Sequence, residues 1–207
     1  MTRRRIWIIA SVALGAALAF GALQGCKDEP EVPSGEKSIT RVPEPEDVLD
    51  EELMLALAQA KNFHHKAKVY MSDGNLAEAA AQMEAILAIP FPPAAPEGDD
   101  VRLDARALLA KLLVAQNKID EAMTVVDQGI GGARRDSFFL ANLYTVKGEV
   151  HHARAAQLEG QPDANKQRIV DEKKAAIMAF DQSIAIDNQL VKQLVEERQR
   201  RQREGDE

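Results

Sequence analysis

Of the 207 residues in this chain, only Cys26 carries a thiol, the group that forms thioethers, thiolate ligands and disulfides. It stands where an apolar run stops and an acidic, proline-bearing run starts, in the stretch FGALQGCKDEP from Phe20 to Pro30. An internal disulfide needs a second cysteine, which the sequence lacks. The other groups whose types invite chemistry are less well spaced for it. His64-His65 and His151-His152 are adjacent pairs. Neighbours on a helix point about 100° apart, and neither pair has a second ligand at i+4. The glycine-rich GIGGARR from Gly129 to Arg135 has the look of a phosphate loop, yet it follows a helical pattern and lacks the Lys-Ser/Thr ending. No serine, histidine and acid sit in a nucleophile motif. The expectation is a non-enzymatic protein with no cofactor, no metal and no small-molecule substrate.

The residues before Cys26 place it at a membrane. Arg3, Arg4 and Arg5 precede Ile6 to Leu23, an uncharged run that is favourable in hydrocarbon. The run is long enough to span, so a cleaved signal and an uncleaved N-terminal anchor both fit. The residues LQGC, Leu23 to Cys26, resemble the bacterial lipobox. That resemblance implies cleavage between Gly25 and Cys26, a diacylglyceryl thioether on the thiol and an acylated new amine. Two or three acyl chains, at about 0.8 kcal/mol per buried methylene, hold a protein stably where one does not. Both readings leave the remainder outside the cytoplasm. TRRRIW (Thr2 to Trp7) also matches a twin-arginine export signal, as would any ordinary signal with three arginines. Lys27 and Asp28 follow the cysteine, with no aspartate directly after it to suggest inner-membrane retention. The periplasmic face of the outer membrane is the preferred location, with the inner membrane and the cell surface left open.

Removing residues 1–25 takes away three arginines and no acids, which moves the formal charge from -7 to -10. So acidic a chain is ill suited to nucleic acid or an anionic membrane surface. Residues 26–47 form an acidic, proline-rich tether, too polar to bury much surface. Residues 48–203 are then the folded domain, and 204–207 a disordered tail.

Within that domain, apolar residues recur at three and four positions and strand patterns are missing, which predicts an all-α fold. Asp73-Gly74-Asn75 separates two helices, Asp99-Asp100 is placed to cap the next, and Gly129, Gly131 and Gly132 to end another. Residues 60–93 resemble the tetratricopeptide repeat, a helix pair of about 34 residues. Phe63, Ala67, Tyr70, Gly74, Ala79 and Met83 take the family's aromatic, small and turn positions, and Pro90 sits one place before its proline. A second copy runs from Leu103 to Asp136, where Ala110, Leu113, Ala122 and Val126 keep the spacing, Asn117 replaces the turn glycine and Arg106 replaces the aromatic. A third has Tyr144, Gly148 and His151 on one helix and Ala176 and Phe180 on the next, both lengthened, with EGQPDAN (Glu159 to Asn165) between them. Asn188 to about Gln202 reads as a capping helix. The resemblance implies a right-handed α-solenoid of about three such pairs plus that cap.

In this family, first-helix residues beside the packing positions line a concave groove that binds a peptide or protein. Carried over, these are Lys61, His64, Lys68 and Met71 in the first copy. In the second they are Asp104, Ala107, Lys111 and Val114, and in the third Asn142, Thr145, Glu149 and His152. Three lysines in one groove suggest an acidic or carboxylate-bearing ligand, although lysines on helices are commonly just solvated. The carboxylate clamp of chaperone-binding relatives is broken here by His64, Lys68, Asn142 and Val146. The expected partner is an envelope protein or peptide segment, met by a lipid-anchored scaffold that assists assembly or localisation. A permanent subunit of a larger secretion or motility apparatus is the alternative.

Overall fold

The computed structural model describes residues 45–163 and 165–205. The signal run, the predicted cleavage at Gly25 and Cys26, and the tether as far as residue 44 lie outside the described residues. Those described form six α-helices and no strand. They are α1 (Pro45–Ser72), α2 (Leu76–Leu87), α3 (Pro96–Ala115), α4 (Ile119–Gly132), α5 (Phe138–Glu159) and α6 (Lys166–Gly205). Each packs on its successor, α3 also packs on α5, and α1 touches α3.

Two turns have the same construction. At Gly74, φ is +76°, the Gly74 N–H bonds to Met71 at 3.1 Å, and the Asn75 N–H reaches back five residues to Tyr70 at 2.8 Å. At Asn117, φ is +62°, with the Asn117 N–H on Val114 at 2.9 Å and the Lys118 N–H on Leu113 at 2.8 Å. A left-handed residue is what lets a helix close its last carbonyls this way, and asparagine tolerates it better than any bulky residue. Helix α3 starts earlier than the aspartates suggested. Pro96 opens it with its φ already helical, and Glu97 and Asp99 fall in its first turn, where negative charge suits the helix dipole.

The core forms where small side chains let helices close up. Ala67, Ala79, Ala110 and Ala122 are all at 0% exposure, with Met83 and Val126 equally buried beside them. Glycine takes the approach further. A Cβ on Gly148 of α5 would lie 2.7 Å from two atoms of the Phe180 ring of α6, so the ring rests on bare backbone. Gly129, expected to end a helix, is inside α4. A Cβ there would come within 2.8 Å of Arg106 and 2.5 Å of Leu143. The aliphatic stem of Arg106 thus fills, over a bare backbone, the place expected of an aromatic ring. In the connector before α3, Phe91 is buried and lies against Gly98, with the Arg102 guanidinium 5.0 Å above its ring.

The separate capping helix is not found: α6 is one helix of 40 residues from Lys166 to Gly205. No glycine or proline occurs between Lys166 and Arg203, so nothing interrupts the backbone at Asn188. The tail expected to begin at residue 204 is helical through Gly205, and charge pairs Lys192–Glu196 and Arg200–Glu204 at i+4 support this last stretch. Ser137 starts α5 by accepting the Leu140 N–H at 3.1 Å.

Substitutions at two positions check this packing and the turns. Gly148→Ala forces the Phe180 ring away and is expected to lower unfolding free energy by about 1–3 kcal/mol in a urea titration. Asn117→Val is expected to cost roughly 1–2 kcal/mol because its β-branch resists positive φ, whereas Asn117→Gly stays near the parent.

Candidate functional site

Where α1 and α3 touch, a groove of about 250 Å³ opens. Leu57 and Ala60 of α1, Ile86 of α2, and Val101 and Ala105 of α3 make its apolar floor. Phe139 of α5 lines it too and is 40% exposed. Lys61, His64 and Asp104 supply the polar rim. Leu57, Lys61 and His64 share the groove because steps of four and three residues keep them on one helix face. Phe139 is aimed by the Ser137 cap, which fixes where α5 begins.

The expected groove residues divide into several groups. Lys61, His64 and Asp104 are brought together as lining. Lys111 and Glu149 also meet, but as a 3.3 Å ion pair between α3 and α5, so that lysine already has a carboxylate. Thr145 is not a groove residue. Its hydroxyl bonds Ser183 of α6 at 2.8 Å, inside the α5–α6 seam. Ala107 is buried, and Val114 is half-buried against the core, so neither offers a ligand much surface. Lys68, Met71, Asn142 and His152 are exposed and do not line the groove. Phe139 is the lining residue that the repeat pattern did not name. The signal for it was an adjacent aromatic pair, Phe138-Phe139, three residues before Asn142.

His151 is held by a contact away from the groove. His151 Nδ1 lies 2.7 Å from Glu172 of α6, and Arg154 bonds Asp120 of α4 at 2.6 Å. Among the described residues, no three His, Cys, Asp or Glu side chains converge on a point that would hold a metal ion. The arginines of GIGGARR act as a clasp. Arg134 grips Asp99 through two bonds of 2.8 and 2.7 Å, and Arg135 meets Asp100 at 2.5 Å. They tie the end of α4 to the start of α3, on which one wall of the groove is built. The bond from Arg134 holds the Asp99 carboxyl below its ordinary value of 3.8, against an opposing push from burial.

Comparison of the chain with protein-family models, characterised proteins and solved structures finds no match. Among the described residues, no helix is long and apolar enough to cross a membrane. What the groove offers is therefore read from its own chemistry: an apolar slot with one aromatic wall and mixed charge at the rim.

Because the Asp99 carboxyl is held down in the folded state, the stability it contributes is present above its unfolded value and lost as pH falls through the folded one. Arg134→Gln is accordingly expected to lower the urea midpoint at pH 7. The gap from the parent should close below the ordinary carboxyl value of 3.8.

Proposed function

We propose that this chain is a lipid-anchored helical-repeat scaffold that binds a segment of another cell-envelope protein and assists assembly or localisation of an envelope complex. The groove between α1 and α3 is its docking site. One observation carries the reading: a large aromatic side chain, Phe139, stays 40% exposed on the wall of an apolar slot in an otherwise acidic protein. Exposed aromatics next to a pocket are the kind of residue that dominates protein recognition.

The tetratricopeptide-like arrangement is supported by the paired turns at Gly74 and Asn117 and by four repeat-position alanines that are fully buried. The lipid anchor is supported by the Arg3–Arg5 cluster, the apolar run and LQGC ending in Cys26. Cys26 acylation would keep the groove near the membrane and raise its effective concentration towards partners there. The outer membrane, facing the periplasm, is the location this reading favours.

The two halves of the reading fail separately. Full-length protein purified from membranes is expected to carry a diacylated N-terminal Cys26, and Cys26→Ser to leave the membrane fraction. Recovery of an intact Met1 to Gly25 segment overturns the lipid anchor. Phe139→Glu, at an exposed position, is expected to keep the fold and the anchor while weakening the co-purified partner at least about tenfold. An unchanged partner affinity overturns the groove as the docking site.

A further inference from the structure

Helix α6 carries more apolar surface than its neighbour covers. Ala176, Ala179, Ser183 and Ile186 are its buried residues, and among the described helices only α5 packs on it. On a different face, Val170, Ile177, Ile184 and Val191 are 57%, 60%, 57% and 50% exposed. They follow one another at intervals of seven residues. Seven residues is close to two turns, so the four make one stripe about 32 Å long. All are β-branched and stiff at χ1, so contact costs them little rotamer freedom. Single exposed aliphatics are ordinary, but four in line on a charged helix mark a contact surface.

We propose that the stretch of this stripe from Val170 to Ile184 is covered by the same stretch of a second copy of the chain, with the two α6 helices antiparallel about a two-fold axis at Ile177 and Val191 left beyond the overlap. The charges flanking the stripe select this arrangement. Lys166, Lys173 and Asp187 run along one side, and Lys174, Asp181 and Asn188 along the other. Parallel pairing sets Lys173 against the partner's Lys174. Antiparallel pairing at Ile177 instead sets Lys174 opposite the partner's Asp181 and Lys166 opposite the partner's Asp187. Symmetry makes each pair twice. In the same register Ile177 meets its own copy and Val170 meets the partner's Ile184. The helices overlap over residues 166–188, about 33 Å, which makes a small interface suited to molecules held in one membrane plane.

Oxidative cross-linking of the full-length chain in its membrane and in detergent tests this, with the unsubstituted chain as the background for Cys26. Ile177→Cys is expected to give a disulfide-linked species of twice the mass. Val191→Cys, about 42 Å from its copy in this register, is expected to give none. Both positions are exposed, and circular dichroism checks that the variants fold. Lys174→Asp should reduce the Ile177→Cys product several-fold, and adding Asp181→Lys should restore it. No product at Ile177→Cys overturns the pair. Equal product at both positions overturns the antiparallel register, as does failure of the double charge swap to restore cross-linking. None of these outcomes depends on what the α1–α3 groove binds.

Discussion

Close approach of helix backbones at small side chains is the constraint on which the rest of this structure depends. Ala67, Ala79, Ala110 and Ala122 admit the neighbouring helix because they project nothing beyond a methyl group. Gly148, Gly129 and Gly98 go further, each lying under a larger side chain: the Phe180 ring, Leu143 with the Arg106 stem, and the Phe91 ring. The large residues Met83, Leu143, Val126, Val146 and Val150 then fill the space between contacts at full burial. Interiors packed this densely transmit small changes of volume, so the spacing of α1, α3 and α5 is fixed by what lies between them. The groove is a by-product of that spacing, and Phe139 can stand at its wall only while the seams hold.

Much of the fold was legible in the sequence because single residues carry the information. Positive φ is a steric property of one position, so Gly74 and Asn117 could be read as equivalent turns from type and spacing alone. Ala67, Ala79, Ala110 and Ala122, which the spacing marks as small packing positions, are fully buried as well. What failed was reading punctuation from composition. Gly129 resembles a helix terminator, yet its missing side chain serves packing within α4. Asn188 resembles the start of a separate capping helix and residue 204 that of a disordered tail, yet no glycine or proline stands between Lys166 and Arg203 and α6 runs through Gly205, with pairs four residues apart.

The site was legible in part. Helical spacing placed Lys61 and His64 on one face, and the structure puts both on the groove's rim. Thr145 was placed there by the same register, but its hydroxyl turned to Ser183, a long-range partner that no local pattern reveals. Phe139 was missed because it precedes the repeat positions and enters the groove from a third helix.

Several ion pairs fasten helices together. Arg134–Asp99, Arg135–Asp100, Lys147–Asp127, Arg154–Asp120 and Lys111–Glu149 each join different helices or a helix and its connector. A count of lysines therefore overstates the groove's pull on acidic ligands, and on the proposed reading it is the apolar floor that selects the partner. The most direct measurement is a photo-cross-linker at Lys61 on the rim, in intact membranes, compared with one at exposed Glu84 of α2, which does not line the groove. A single partner protein captured at Lys61 through one apolar-bearing segment, and not captured at Glu84, is the predicted result. No capture at Lys61, or the same capture at both, would contradict docking in the groove.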